Sequence, residues 1–365
     1  MANAWNQTRV SEVLGIAYPI IQGPLGGLAS QKLTAGVSNF GGLGSFGAHG
    51  LEPSAIADVI AEVRSLTTKP FAMNLWVSME DEGARTSDEA AFARAASRLA
   101  PHIAEVGGPP PVFTPCKPLR FEDQARVLLD ADVPVFSFIY GIPPVEILTE
   151  MRSRGIVTIG TATTVDEAKA LENAGVDIIV ASGFEAGGHR GSFLKTSEDS
   201  LTGTISLVPQ TVDAVSVPVV AAGGIADARG IRAALALGAE GVQMGTAFLA
   251  VEESGAHPLH RQAILSGQAA HTGLTRGFTG RLARGIRNQL LTRLNEPGAD
   301  FLPYPLQRSL MRNLAIPAQK AGRADLLALW AGQSANLARG SDLEGFLRSL
   351  VEEMTAPESV SNRKG

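Results

Sequence analysis

Short apolar runs alternate with stretches of helical periodicity along most of the chain. Each run is rich in β-branched and small apolar residues, and turn residues and an amphipathic segment follow it. The runs that end at Ala181 and Ala222 are almost continuously apolar, which is typical of parallel strands covered on both faces. The eight predicted strands are Pro19–Gln22, Gly42–Phe46, Pro70–Val77, Val133–Tyr140, Val157–Gly160, Asp177–Ala181, Val217–Ala222 and Gly241–Gly245.

Amphipathic segments between these runs predict crossover helices. Thr164 and Glu167 have the spacing of a capping box at the start of one helix, and Gly175 follows its last turn, where glycine commonly ends a helix. Eight strand and helix units predict an α/β fold, a (β/α)8 TIM barrel, with an open doubly wound sheet as the alternative. The predicted helices include Pro53–Leu66, Glu122–Asp130, Pro144–Arg154, Val165–Ala174, Pro209–Val215 and Ala226–Leu237.

Three segments interrupt this repeat. Residues 78–118 contain the predicted helix Asp88–Glu105 and a stretch rich in glycine and proline, so we interpret them as an insertion after the third strand. Residues 187–207 are rich in Gly, Ser and Thr, and we interpret them as a mobile loop over a site. We predict a barrel of residues 1–258 and a helical extension of residues 259–365 that packs on it as a candidate lid.

Composition and charge exclude several classes of function. A net charge of −5 without a block of Lys and Arg argues against a nucleic-acid partner. The single cysteine, Cys116, cannot form an internal disulfide, which fits a reducing compartment, and we interpret it as an apolar filler. No signal peptide and no apolar stretch of ~20 residues is visible, so we expect a cytoplasmic protein without a membrane partner, a monomer or a homodimer.

Glycine pairs follow the last two predicted strands. Gly223 and Gly224 come after the seventh strand, and Gly245 and Thr246 come after the eighth. In barrels of this kind these two loops often hold a phosphate, because glycine lets backbone N–H groups approach its oxygens. Pro24 unsettles the glycine-rich turn after the first strand, so a dinucleotide fingerprint matches poorly, and no Walker loop is present. The pattern therefore predicts a mononucleotide-type cofactor.

A histidine lies in a glycine-rich loop after the sixth strand. Four glycines surround His189 within residues 183–191, which argues against ordinary core packing. An imidazole above a barrel mouth suits a general base or a hydrogen-bond donor. Glu185 either orients this loop or has a purely structural role. The other histidines show no metal-ligand spacing, so no metal site is predicted.

Together these motifs resemble the nitronate monooxygenases, formerly called 2-nitropropane dioxygenases, and the later segments favour their class I branch. The resemblance is carried by Gln22-Gly23-Pro24, Asn74, ASGFEAGGHRG (181–191), AAGGI (221–225), QMGTAF (243–248), TRGFTGRLARGIRN (275–288), YPLQ (304–307) and WAGQ (330–333). It implies an FMN-binding TIM barrel that oxidises alkyl nitronates, and neutral nitroalkanes as a second class, with O2 to a carbonyl compound and nitrite.

The resemblance also implies roles for individual residues. His189 matches the catalytic histidine, which would deprotonate a nitroalkane or hold the nitro oxygens of a nitronate. Several departures from the family pattern bear on the substrate, namely Leu25, Ile139, Val77, Ser78 and Ser182. The implied cofactor-binding residues are Gly23, Pro24, Asn74, Ser182, Gly187, Gly188, Gly223, Gly224, Gln243, Met244, Gly245 and Thr246.

Two further hypotheses use the same barrel. One is an FMN-dependent NAD(P)H reductase of the enoyl-acyl carrier protein reductase or quinone reductase type, although no separate nicotinamide fingerprint is visible. The other is a barrel that binds a phosphorylated ligand without turnover. For the leading hypothesis, Phe278, Tyr304 and Trp330 of the extension are expected to keep the pocket dry.

Overall fold

The computed structural model describes residues 4–77, 88–115, 119–298 and 301–356. Eight parallel strands lie in the order β1-β9-β8-β6-β5-β4-β3-β2. Backbone hydrogen bonds from Gln22 N to Leu43 O (2.9 Å) and from Leu43 N to Ile20 O (3.0 Å) join the two edges, which confirms the barrel over the open sheet. The strands are β1 (Ile20–Gln22), β2 (Gly44–Gly47), β3 (Phe71–Trp76), β4 (Val135–Ile139), β5 (Val157–Ala162), β6 (Ile178–Ser182), β8 (Val219–Ala222) and β9 (Gly241–Met244).

The barrel interior is a packed apolar core. Alternate strand residues such as Ile21, Val135, Val180 and Val220 point inward and are almost fully buried. Helix α1 (Arg9–Leu14) lies in the same cluster, so it closes the end of the barrel at which the strands begin. The opposite end, where the strands finish, is left for loops, as is usual for sites in this fold.

Helices cover the outer face of the sheet as the periodicity predicts. Their apolar faces form two large clusters with the outward-facing strand residues. Helix α3 has the predicted bounds, and Pro53 stands at its first turn, where proline is tolerated. The helices that follow the strands are α2 (Gln31–Phe40), α3 (Pro53–Leu66), α5 (Phe121–Asp130), α6 (Val145–Ser153), α7 (Val165–Asn173), α8 (Thr204–Ala214) and α9 (Ala228–Ala236).

The predicted capping box forms only in part. Thr164 accepts from Glu167 N as expected, but the Glu167 carboxylate does not return to the cap. It accepts instead from Thr163 N (2.6 Å), Thr163 Oγ1 (2.7 Å), Phe193 N (2.6 Å) and Leu194 N (3.1 Å). This buried carboxylate therefore ties residues 193 and 194 to the end of β5.

Residues 187–207, interpreted above as a mobile loop, contain regular structure. They include strand β7 (Gly188–His189), the 3-10 helix Glu198–Ser200 and the first turn of α8. Helix α8 begins at Thr204, five residues before the predicted start. The cause is the Glu185 carboxylate, which accepts from Thr204 N at 2.9 Å and so satisfies a backbone N–H that has no partner within the helix.

The extension is not purely helical. Strands β10 (Thr272–Thr275) and β11 (Ala283–Ile286) form an antiparallel sheet with β7, in which His189 lies opposite Ala283. The insertion helix α4 (Glu89–Glu105) packs on α13 of the extension through residues such as Phe92 and Leu310. Helix α10 (Thr246–Leu249) directly follows β9, and the helices at and beyond the predicted boundary are α11 (Pro258–Ile264), α12 (Gln289–Leu294), α13 (Leu306–Lys320) and α14 (Leu343–Thr355).

Helix α14 belongs to the outer layer of the barrel. Its buried residues, including Phe346 and Leu350, pack in the same cluster as α2 and α9. Residues 259–342 therefore lie in the sequence between β9 and α14, the helix of the outer layer that begins at Leu343. The domain boundary at residue 258 stays a prediction.

Some of the sequence predictions are not decided by the fold. Residues 78–87 and 116–118 of the insertion, which include Cys116, lie outside the described residues. Within the described part, no helix is long and apolar enough to cross a membrane, and no cluster of His, Cys, Asp and Glu suited to a metal is found. The monomer or homodimer state and the cytoplasmic location stay predictions.

Candidate active site

A cavity of about 260 Å³ opens where the barrel strands end. The structure brings nearly all of the predicted site residues to it. Those lining it are Gly23, Pro24, Asn74, Ser182, Gly187, Gly188, His189, Gly223, Gly224, Gln243, Gly245 and Thr246.

Met244 is the exception among the predicted residues. Its side chain is fully buried in the core outside the sheet, because side chains alternate along β9 and Gln243 takes the inward position. The Met244 carbonyl accepts from Gly23 N at 2.7 Å, so its backbone positions the turn after β1. The Met244 side chain is therefore not part of the cavity wall.

Residues 332–334 of the extension pack on the loops that contain Gly187, Gly224 and Thr246. A Cβ atom at Gly187 would lie 2.5 Å from Gly332 N, so only glycine allows this approach. Gly332 N donates to Thr246 Oγ1 at 2.9 Å, and Ser334 Oγ donates to Gly224 O at 2.8 Å. The Thr246 hydroxyl hydrogen is thus still available to a ligand oxygen.

Glu185 orients the loops on one side of the cavity. Its carboxylate accepts from Thr204 Oγ1 at 2.9 Å, and this hydroxyl also lies 2.9 Å from Gly223 O. Its carbonyl accepts from Gln333 N at 2.9 Å. Glu185 therefore links the loop after β6, helix α8 and the extension, which corresponds to the orienting role considered above.

His189 lies beneath the extension at the cavity wall. Its Nε2 atom is 2.9 Å from Thr279 Oγ1, and its ring contacts Trp76 edge-on, with centroids 5.0 Å apart. The surrounding protein encloses the ring, and the small exposure that remains faces the cavity. This burial, together with the positive charges of Arg281 and Arg308, lowers the pKa of His189 from 6.5 to about 3. The imidazole is therefore neutral at neutral pH.

Two arginines supply positive charge near this imidazole. The Arg281 guanidinium packs over the rings of Tyr140 (4.1 Å), Tyr304 (4.6 Å) and Trp76 (5.2 Å). Arg308 lines the cavity and donates to Tyr304 OH at 3.3 Å. A neutral imidazole next to two cations is suited to a negatively charged ligand.

Aromatic side chains form much of the remaining wall. Tyr304 and Trp330 line the cavity as the sequence led us to expect. Phe278 does not, because it packs edge-on behind Trp330 with centroids 5.5 Å apart. Ile139, one of the departures noted above, also lines the cavity and adds to its apolar surface.

Sequence reasoning missed several residues of the site. His49, Trp76, Thr279 and Arg308 line the cavity, although none of them was singled out as a site residue. Trp76 is the last residue of β3 and His49 follows β2, so their place at strand ends was a signal that the barrel prediction already contained. Thr279 lies in the segment 275–288 that carries the family resemblance, but nothing there marks it as a site residue. No local signal marks Arg308, and both residues reach the cavity from the extension.

Comparison with known proteins decides the family. The sequence model of the nitronate monooxygenase family matches residues 7–353. The chain belongs to this family. It is similar to a probable nitronate monooxygenase of Staphylococcus aureus (strain Newman), with 41% identity over 352 residues that cover 96% of this chain and 98% of the relative.

Solved structures place this nitronate monooxygenase family member among related barrels. It is similar to a nitroalkane oxidase from Streptomyces ansochromogenes, with a TM-score of 0.83 and 37% identity, covering 94% of this chain and 97% of that one. It is also similar to FabK from Thermotoga maritima, with a TM-score of 0.74 and 29% identity, covering 95% and 96%. Family membership makes the protein an oxidoreductase of nitronates or nitroalkanes rather than a barrel that binds without turnover.

Flavin dependence is general in the nitronate monooxygenase family. The glycines of the cavity fit a bound ligand of this kind. Bare backbone faces open space at two of the glycines. A Cβ atom at Gly188 would meet nothing within 4 Å, and one at Gly245 would meet only Leu25 Cδ2 at 3.7 Å. Side chains at these positions would fill the space that a ligand needs. Gly223 and Gly224 have φ values of 102° and 73°, a backbone form that glycine adopts readily.

Proposed function

We propose that the protein catalyses the FMN-dependent oxidation of alkyl nitronates by O2 to a carbonyl compound and nitrite. The observation that carries this proposal is the neutral, enclosed His189 beside Arg308 and Arg281, in a cavity at the carboxyl end of the barrel. A nitronate is an anion with two negative oxygens, and it suits such a wall. Family membership supports the same reaction class.

The chain offers separate groups for each part of FMN. Gly23 and Pro24 would contact the ring through their backbone. Asn74, which donates to Ser137 Oγ at 2.9 Å, and Ser182 would bond polar atoms of the ring or the ribityl chain. The backbone at Gly224, Gly245 and Thr246 would surround the phosphate, with Gly187, Gly188, Gly223 and Gln243 completing the wall. When bound, FMN supplies the electron chemistry.

His189 acts as a hydrogen-bond donor rather than as a base. An imidazole with a pKa of about 3 is a weak base, so the transfer of a proton to it from a neutral nitroalkane is unfavourable. Its N–H, by contrast, can stabilise the nitronate oxygens in the cavity that the ring lines. The protein should therefore prefer nitronates that are already deprotonated over neutral nitroalkanes.

Oxygen uptake tests this proposal directly. The purified protein, loaded with FMN, should consume O2 and release nitrite with ethyl nitronate in the absence of nicotinamide. Nitroethane should give a kcat/KM at least tenfold lower. The variant His189→Asn should retain FMN but lose roughly 10²-fold in kcat/KM for ethyl nitronate, the lower end for a positioned polar group. Unchanged turnover would remove His189 from the mechanism.

A reductase on the same barrel is the second candidate, and the likeness to FabK is the observation in its favour. Anaerobic mixing with NADH or NADPH separates the two. Rapid bleaching of the flavin at a catalytic rate, without O2 uptake on nitronates, would replace the monooxygenase proposal with the reductase.

A further inference from the structure

His49, in the loop after β2, has a ring that the surrounding residues hold in one orientation. It stacks on Trp76 with centroids 3.8 Å apart and planes within 5°. On its edge, a Cβ atom at Gly26 would lie only 2.5 Å from His49 Cε1. Gln124 Nε2 donates to the His49 carbonyl at 3.0 Å, which fixes the backbone as well. The ring therefore has no room to swing away from the cavity that it lines.

The two ring nitrogens of His49 have different surroundings. Nδ1 is sealed from solvent and has no hydrogen-bond partner among the described residues. His49 is only partly buried and lines the cavity. Nε2, in contrast to Nδ1, is not sealed, so it is the nitrogen open to that space. A neutral imidazole carries one N–H. Because a sealed N–H without an acceptor is rarer in proteins than a sealed lone pair, the hydrogen belongs on Nε2.

The charges around His49 keep the ring neutral and favour an anion next to it. Burial lowers its pKa well below 6.5, and the nearby Arg308, His189 and Arg281 act in the same direction. Arg308 lies beside the loop, since a Cβ atom at Gly50 would be 3.4 Å from its Nη1. His49 and His189 both contact the Trp76 indole, and both line the cavity.

We propose that His49 presents Nε2–H to the cavity and donates a hydrogen bond to the nitronate anion that binds beside His189. This inference rests on the proposed function, and it makes His49 a second binding residue for the anion. A nitronate has two oxygens, so it offers one acceptor for each imidazole. Neutral nitroalkanes gain less from such a donor, because hydrogen bonds to charged groups are the stronger ones.

Three substitutions separate this role from a structural one. His49→Phe keeps the ring and its stacking on Trp76 but has no donor. His49→Gln places an amide N–H near the position of Nε2, whereas His49→Asn places its amide near the sealed Nδ1. His271→Phe is the matched control, since His271 is exposed on the extension. Each variant is tested as the FMN-loaded protein, with KM and kcat for ethyl nitronate and the inhibition constants of nitrate and nitroethane as readouts.

We expect His49→Phe and His49→Asn to raise both the KM for ethyl nitronate and the inhibition constant of nitrate by about tenfold or more. kcat, FMN content and inhibition by nitroethane should change less than about threefold. His49→Gln should stay within about threefold of the wild type in every measurement. His271→Phe should match the wild type.

Different results would overturn the assignment of His49. If His49→Phe leaves the KM and the nitrate constant unchanged, or if His49→Gln is as weak as His49→Phe, the ring is not a donor to the anion. If His49→Phe loses FMN, the ring supports the cofactor or the fold instead. A wild-type protein that does not oxidise ethyl nitronate would overturn the proposed function first, and it would be recognised before any variant is compared.

Discussion

The Nε2 atom of His189 lies 2.9 Å from Oγ1 of Thr279, so the imidazole of the barrel loop is held by a residue of the extension. The backbone repeats this connection, because His189 lies opposite Ala283 across the β7 and β11 pair. Thr279 Oγ1 is in turn 3.3 Å from both the N and the O of Arg281. The orientation of the candidate catalytic residue therefore depends on a segment about 90 residues further along the chain.

Replacement of Thr279 tests this dependence. Thr279→Val keeps the shape of the side chain but removes the hydroxyl, so the His189 ring loses its one side-chain partner at Nε2. We expect kcat/KM for ethyl nitronate to fall by about tenfold, the value of one or two hydrogen bonds in a positioned site, without loss of FMN. Thr279→Ser restores the hydroxyl and should recover most of the activity. Equal rates for Val and wild type would show that the backbone pairing alone orients the ring.

Gly245→Ala tests the bare backbone at the end of β9. The added Cβ would contact only Leu25 Cδ2, at an ordinary distance of 3.7 Å, so the fold should tolerate it. The methyl group would instead occupy space in the cavity, and we expect the Kd for FMN to rise by about tenfold or more. Flavin fluorescence titration of the apoprotein measures this change.

The control is Gly267→Ala in the extension. Gly267 is exposed, and a Cβ atom there would meet nothing within 4 Å. Its FMN affinity should equal that of the wild type. If Gly245→Ala also binds FMN normally, the loop after β9 does not contact the cofactor.

The strands and most crossover helices could be predicted because their cause is local. A parallel strand covered on both faces must be apolar along its length, and all eight predicted runs overlap barrel strands. The first turn of α8 could not be predicted in this way. Its N–H is satisfied by Glu185, 19 residues earlier in the chain, and its N-cap residue, Gly203, makes no side-chain cap hydrogen bond.

The residues of the site also differ in whether a local pattern or tertiary packing brings them to the cavity. Glycines and His189 at strand ends could be identified because the topology brings every strand end to one face of the barrel. Arg308 and Thr279 could not, because helix α13 and the turn before β11 reach that face only through the tertiary packing of the extension. The strands β10 and β11 are four residues each, too short for periodicity to distinguish them from loops.

Arg190 provides a test of how the His189 loop is anchored. Its buried guanidinium donates to the carbonyl oxygens of Ser182 (2.5 Å), Thr163 (3.1 Å) and Ser200. Burial lowers the pKa of Arg190 to about 10, so it is still charged at neutral pH. Arg190→Met removes every donor to these carbonyls and also the positive charge near Glu167. We expect the free energy of unfolding to fall by about 3 to 5 kcal/mol.

Urea unfolding of the holoprotein measures this loss, and an exposed arginine supplies the comparison. Arg348 forms an ion pair with Glu344 on the surface of α14, with 61% and 70% of their side chains exposed. Arg348→Met should change the free energy of unfolding by about 0.5 kcal/mol or less, as is usual for exposed pairs. If the two substitutions have equal effects, the Arg190 contacts do not hold the loop.

The pH dependence of stability follows from histidines that are buried in the neutral form. His260 is almost fully buried, its Nε2 lies 2.9 Å from the Trp330 carbonyl, and burial is the main cause that lowers its pKa below 6.5. His49 and His189 are shifted in the same direction. As the pH falls below about 6.5, the unfolded chain binds protons that the folded chain does not. Stability is therefore retained above this pH and lost below it, by at most about 1.4 kcal/mol per pH unit for each such histidine.

His260→Gln isolates one of these contributions. The Gln amide can still donate to the Trp330 carbonyl but does not titrate, and His260 does not line the cavity. Between pH 7 and pH 5, the variant should lose less stability than the wild type, by up to about 2 kcal/mol, in urea titrations followed by tryptophan fluorescence. His271→Gln, at an exposed position, should follow the wild-type curve. A His260→Gln curve parallel to the wild type would mean that His260 is protonated equally in the folded and unfolded chains, because only a difference in bound protons gives stability a slope with pH.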